Sequence, residues 1–221
     1  WYTIDFDPDT GVANLTANGI YDLMLLCLDK DGKFKWVNQI GSKDDDHASG
    51  IVTDHNGHVY VAGIVEDTVD LDPGNGVNLV GGYGGFPNRD IFLAKYNTND
   101  GSLVWAHGLA SNQSESALDL ALDTAQNPVL TGYFVSTMDF DPGPDSLILS
   151  TDGTSDMFIT KYKASTGYLD WGFSIGGDTY SDWPYNVVVD DNDDVYVHGV
   201  FGHVVDFDPT HLDDGIYYLS L

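Results

Sequence analysis

Four copies of the tetrapeptide Asp-apolar-Asp-Pro carry the residues of this chain best suited to chemistry. They are Asp5-Phe6-Asp7-Pro8, Asp70-Leu71-Asp72-Pro73, Asp139-Phe140-Asp141-Pro142 and Asp206-Phe207-Asp208-Pro209. In extended backbone, residues i and i+2 point to the same side. Asp5 with Asp7, Asp70 with Asp72, Asp139 with Asp141 and Asp206 with Asp208 therefore present paired carboxylates, while the intervening Phe or Leu points toward a core. A hard cation such as Ca²⁺ takes about six to eight oxygens, and each pair would supply two of them. The competing reading is that one Asp of each pair caps the turn opened by Pro73-Gly74 or Pro142-Gly143, because the short carboxylate bonds its own backbone two residues on. Asp22, Asp90 and Asp156, each at the head of an apolar run, either approach the same loops or cap their own strands.

Other candidates are weaker. Asp190-Asp191-Asn192-Asp193-Asp194 is rich in oxygen ligands but lacks the Gly and distal Glu of a helix-loop-helix calcium site. A hairpin turn explains it better. His55 and His58 have metal-ligand spacing, yet the matching positions of the other copies hold no His. No Gly-x-Ser-x-Gly, phosphate loop or His-Glu-x-x-His occurs. Gly81-Gly82-Tyr83-Gly84-Gly85 is followed by no Lys-Ser/Thr and reads as a surface insertion. Cys27 lies in an apolar run and reads as a buried thiol. Tyr180, Trp183 and Tyr185 are candidate ligand-binding residues, because aromatic rings stack on sugars; packing of Trp183 under its loop is the alternative. Their segment breaks the repeat, since positions 43–48 and 112–117 hold no Phe, Tyr or Trp.

These candidates sit on a repeat. The tetrapeptides are 65, 69 and 67 residues apart (5 to 70, 70 to 139, 139 to 206). In the same register recur an Asp-led apolar strand (22, 90, 156), a Gly turn (32, 101, 167), a Trp (36, 105, 171) and an apolar run closing on Asp (54, 123, 190). A short strand ending in Gly follows: VYVAG at 59–63, PVLTG at 128–132 and VYVHG at 195–199. Runs of four to eight β-branched and aromatic residues between Asn, Asp and Gly read as strands. Ser114 to Leu122 has a helix-compatible pattern, but its register with 186–189 makes it a strand. The expectation is an all-β chain of β-propeller blades. Each blade has four antiparallel strands plus a short fifth at 77–80, 146–150 or 217–221. The expected division is 1–20 as the closing part of a preceding blade, then blades at 21–88, 89–154 and 155–221. Three blades and a remnant do not close a ring, so a longer chain or neighbouring chains are expected to supply the missing blades.

Composition narrows the function. Eight Lys and Arg against 35 Asp and Glu give a net charge of −27, a field that repels nucleic acid. No window is apolar and long enough to insert into a membrane. Hydrophobic residues make up 42% of the chain, ample for a core. The acids are 33 Asp and two Glu, Glu66 and Glu115. That bias points to turns and cation loops rather than to a merely solvated surface.

The segments VVVDDNDDVYVHGVFGHVVDFDP and IVTDHNGHVYVAGIVEDTVDLDP resemble the bacterial seven-bladed β-propeller repeats, in the longer variant of large secreted or surface-attached proteins. That resemblance implies a propeller, an extracellular or cell-surface location and, as a rule, no catalysis. Lys163 to Trp171 (KASTGYLDW) also resembles the tryptophan-docking hairpin of quinoprotein propellers, where the Trp packs between blades; the vicinal cysteines of many quinone sites are missing here. The expected role is a structural or adhesion-type interaction module with a protein or glycan ligand, stabilised by Ca²⁺ if the Asp loops bind it. The alternatives are a propeller enzyme, quinone-dependent or hydrolytic, with its site on the ring axis, and a glycan-binding propeller.

Overall fold

The computed structural model describes residues 3–82 and 88–207, together with the backbone of 218–220. Among these there is no helix. The strands are β1 (Thr3–Asp5), β2 (Asn14–Thr16), β3 (Leu23–Leu28), β4 (Phe34–Ile40), β5 (His47–Thr53), β6 (His58–Val65), β7 (Val69–Asp70), β8 (Leu79–Val80), β9 (Asp90–Asn97) and β10 (Leu103–Leu109). They continue as β11 (Ser116–Leu122), β12 (Pro128–Phe134), β13 (Thr137–Asp139), β14 (Ile148–Ser150), β15 (Asp156–Tyr162), β16 (Leu169–Ile175), β17 (Trp183–Val189), β18 (Val195–Val200), β19 (Val204–Asp206) and β20 (Tyr218–Ser220).

Two four-stranded antiparallel sheets form the centre, in the orders β10-β9-β6-β5 and β11-β12-β15-β16. Two-stranded sheets flank them, β3-β4 before and β17-β18 after. The middle strands β6 and β9 are apolar and buried almost throughout, as strands covered on both faces must be. Burial falls toward the outer strands, where Lys35 and Asp170 are exposed.

Two expectations need correction. The division at 88/89 cuts the first four-stranded sheet between β6 and β9, and that at 154/155 cuts the second between β12 and β15. The Asp-led strand bonds backward to the hairpin before it, so each sheet starts at the strand that precedes the Asn/Asp turn. The short fifth strand joins no large sheet either. It pairs with the strand leading into Asp-x-Asp-Pro, as β7-β8, β13-β14, β1-β2 and β19-β20. The hairpins β7-β8 and β13-β14 are each inserted between the second and third strands of a four-stranded sheet.

Packing between sheets follows one plan. Tyr60, Ile91, Leu93 and Trp105 of the first four-stranded sheet meet Leu120, Leu130 and Phe158 of the second. Leu23 and Leu25 of β3 meet Val59, Val61 and Phe92. Met157 and Ile159 meet Val187 of β17. Antiparallel sheets stacked face to face in chain order, each about 67 residues from the next, constitute a β-propeller-like fold.

Candidate functional site

The Asp-x-Asp-Pro carboxylates turn inward, toward their own loops. Asp70 Oδ1 accepts the amides of Asp72 (3.0 Å) and Asn78 (2.8 Å). Asp139 Oδ1 accepts those of Asp141 (3.1 Å) and Leu147 (3.0 Å), and Asp5 Oδ1 those of Asp7 (3.1 Å) and Ala13 (2.8 Å). The second Asp repeats the move one turn on. Asp72 accepts from Gly74 at 2.7 Å and Asp141 from Gly143 at 2.8 Å, while Asp7 accepts from Asp9 at 2.8 Å. The amides of Ala13 and Asp7 hold the Asp5 carboxyl below the ordinary value of 3.8. The other oxygens of Asp7 and Asp72 lie where a Cβ on Gly11 or Gly76 would come within 2.0 Å, so the side chain curls over its loop and only Gly fits beneath it. Leu71 and Phe140 point into the core, fully buried. Their carbonyls accept the hydroxyls of Tyr96 (3.0 Å) and Tyr162 (3.2 Å), tying each loop to its sheet. Asp206 is half-buried at the end of β19, and Asp208 lies outside the described residues.

For a cation the donor set is thin. The pairs at 5/7, 70/72 and 139/141 spend their Oδ1 atoms on amides, and among the described residues no three His, Cys, Asp or Glu stand close enough to hold a metal ion. The same economy governs the β-hairpin turns. Asp29, Asp54 and Asp190 each accept two amides, at i+2 and i+4, through one Oδ1. Asp123 accepts the i+4 amide of Asn127. His58 is part of this device: its Nδ1 lies 2.9 Å from Asp54 Oδ2, and Lys95 completes the group at 3.7 Å. The equivalent Lys161 pairs with Asp123.

A second set of acids was missed by sequence reasoning. Asp46, Glu115 and Asp182 are at most 1% exposed and stand 24, 25 and 26 residues after Asp22, Asp90 and Asp156. The Asp22 charge acts on Asp46, the Asp90 charge on Glu115 and the Asp182 charge on Asp156. The pairs thus join the third strand of one sheet to the first strand of the next. Desolvation pushes Glu115 up to about 8, with the Asp90 charge adding to it against the Ser111 hydroxyl bond. Desolvation likewise raises Asp156 to about 6 and lifts Asp46. Asp182 is satisfied by the amides of Gly177 (2.9 Å) and Gly202 (2.8 Å). The recurrence of one acid at spacings of 69 and 67 (46 to 115, 115 to 182) was the available signal, hidden because Glu replaces Asp in one copy.

The three aromatic candidates are all accessible: Tyr180 is 59%, Trp183 43% and Tyr185 46% exposed. Trp183 opens β17, where the other copies have His47 and Ser116. Its Nε1 donates to Ser155 Oγ at 3.2 Å, and its ring lies 6.2 Å from that of Tyr133. Tyr180 leans on His203 and Tyr185 on His198, so the three rings do not form one stacked cluster. Among the described residues no helix is long and apolar enough to cross a membrane.

No protein-family profile matches the chain. It is 24% identical over 233 aligned positions, covering 88% of its length, to an uncharacterised WD repeat-containing protein of Acanthamoeba polyphaga mimivirus. The aligned region is 15% of that protein, so the chain spans a small part of the relative it matches.

Proposed function

We propose that the chain is a non-catalytic interaction module of a secreted or surface-attached protein, built as a rigid propeller-type frame. The observation that carries this reading is where the reactive groups go. The Asp carboxylates, His58, Lys95 and Lys161 are bound into turns and sheet junctions of the repeat itself, which is the pattern of a scaffold. WD repeats form propellers, in keeping with the similarity described above. The test is affinity capture from the secreted and surface fraction of the source organism on the immobilised chain. A retained partner released unchanged supports the module, and chemical turnover of that partner by the purified chain overturns it.

A glycan is the ligand class that one observation favours. Trp183 is held at its indole N–H, which leaves a ring face open beside Tyr133; a fixed, exposed indole suits stacking on a sugar ring. Trp183→Ala should abolish glycan-array signal while leaving the melting temperature nearly unchanged. Signal that survives the substitution rejects this surface.

A further inference from the structure

One turn of the frame brings together an amine, an amide and a carboxylate. The turn at 123–127 joins β11 to β12 in the second four-stranded sheet. Asp123 Oδ1 accepts the Asn127 amide at 2.7 Å, and the Gln126 amide donates to the Asp123 carbonyl at 2.9 Å. Lys161 reaches in from β15, which opens the outer hairpin β15-β16 and lies next to β12. Its ammonium pairs with Asp123 Oδ2, and the Asn127 side chain donates Nδ2 to the same oxygen at 3.1 Å. Register puts the groups there. Lys161 lies opposite Val129, and Asn127, two residues before Val129, is its diagonal neighbour on the same face. The side chains of Lys161 and Asp123 are 16% and 2% exposed, and Val129 is fully buried, so water has little access. The turn is also held from outside: the Tyr60 hydroxyl donates to the Gln126 carbonyl (3.2 Å), and Asp193 accepts the Thr124 amide (2.7 Å).

These are the parts of an acyl transfer. The Ala164 backbone N–H donates to Asn127 Oδ1 at 2.9 Å. Only an oxygen can accept it, which fixes the orientation of the amide. The same N–H polarises the carbonyl and stands where an oxyanion would form. Asp123 Oδ2 lies between the amine and the amide nitrogen, so it can pass a proton from one to the other. Pro128 follows Asn127 and has no N–H, so the backbone attack that turns Asn into a cyclic imide is closed. The first four-stranded sheet is the contrast. Asp54 and Lys95 keep their places there, but His58 stands where Asn127 does. Lys95 Nζ is 3.7 Å from that carboxylate and donates to the Ala164 carbonyl at 3.1 Å. That group has an amine and an acid but no acyl carbon.

We propose that Lys161 Nζ and Asn127 Cγ join in an intramolecular isopeptide bond, with Asp123 as proton carrier and ammonia as leaving group. Burial raises the Asp123 carboxyl, but the Lys161 and Asn127 bonds outweigh it and hold it below the ordinary value of 3.8, so the resting pair is ionic. The reaction begins when one proton moves from Nζ to Oδ2, a shift that leaves the net charge of the pair unchanged. The lone pair freed on Nζ adds to Cγ, and the carbonyl electrons move onto Oδ1 against the Ala164 N–H. Asp123 gives its proton to Nδ2, the carbonyl re-forms, the Cγ–Nδ2 bond breaks and ammonia leaves. The second Nζ proton passes to Asp123, which regains its carboxylate by protonating the departing ammonia. One C–N bond forms and one breaks, with no oxidant, reductant or cofactor. The bond forms once per chain, so it is a self-modification of the frame rather than turnover of a ligand. It links the β11-β12 turn covalently to β15 and so locks the two hairpins of one sheet together.

Mass spectrometry reads the bond without any substitution. The folded chain should weigh less than its sequence by one ammonia. Proteolysis on the N-terminal side of Asp should then release segments 123–138 and 156–169 as one branched peptide. Lys161→Arg keeps the positive charge but removes the attacking amine. Asn127→His copies the residue that the first sheet places at the same turn. Both variants should show the full sequence mass and give the two segments separately, as should Asp123→Asn, which lacks the proton carrier. An unsubstituted chain that keeps its full mass and separable segments after prolonged incubation in the folded state overturns the proposal. So does loss of ammonia that persists in Lys161→Arg, which would place the loss at an Asn-Gly step such as Asn56-Gly57.

Discussion

At the scale of single residues, the preponderance of Asp over Glu has a mechanical cause. An Asp carboxylate reaches the amides two and four residues ahead, or across an eight-residue loop, while the additional methylene of Glu overshoots them. The structure uses this at Asp29, Asp54 and Asp190 and in the Asp-x-Asp-Pro loops. Asp139→Ala should therefore cost about 1–3 kcal/mol, because two loop amides lose a charged acceptor. Asp139→Asn should cost less, and denaturant titration distinguishes them. If the loops close without a cation, EDTA and millimolar Ca²⁺ should give equal melting temperatures at matched ionic strength. A rise with Ca²⁺ alone would support the metal reading, since a ligand bound only by the folded state stabilises it. The buried acids predict a pH dependence of the opposite kind from ordinary carboxylates. Glu115 keeps its proton up to about 8 in the fold but releases it near 4.5 when unfolded, and Asp156 behaves likewise between 3.8 and about 6. The unfolded chain holds fewer protons across those windows, so stability falls as pH rises through them. Glu115→Gln should flatten the part of that decline between pH 6 and 8; an unchanged slope would place the raised acid elsewhere.

At the scale of strands and sheets, the repeated Trp is a clamp between successive outer hairpins. Trp105 is 9% exposed, lies edge-on to Tyr60 and covers the Gly167 turn. Trp105→Ala should destabilise by about 3–5 kcal/mol. Trp171→Ala, at a half-buried site, should cost clearly less. Comparable losses for both would contradict the difference in docking. Of the three repeated indoles Trp105 is buried, while Trp36 and Trp171 are half-buried. The period of the repeat, its strands, its turns and the inward Leu71 and Phe140 were all legible in the residues. Its phase was not. A tandem repeat looks the same wherever it is cut, and only hydrogen bonding between β6 and β9 reveals that the Asp90 strand completes the sheet before it. Strands of two or three residues, such as β7 and β8, likewise carry too few side chains to announce their partner. The carboxylate pairs were legible as pairs, but whether Oδ1 turns to a cation or to an amide depends on a loop curvature that no pattern of residue types encodes.

At the scale of the whole molecule, stacked sheets bury a continuous apolar layer, and the diffuse negative charge lies outside it, in turns and rims. Among the described residues that layer is less covered at Met24 and Leu28 of β3 and at Tyr196, Val197 and Val200 of β18. Among the described residues the largest hydrogen-bonded units are the sheets β10-β9-β6-β5 and β11-β12-β15-β16. Amide hydrogen exchange read by mass spectrometry tests it most directly, because strands bonded on both edges open last. In this chain, 58–65, 90–97, 128–134 and 156–162 should exchange slowest, with 23–28 and 195–200 markedly faster. Fast exchange in 58–65 and 90–97, or protection of 195–200 equal to theirs, would contradict it.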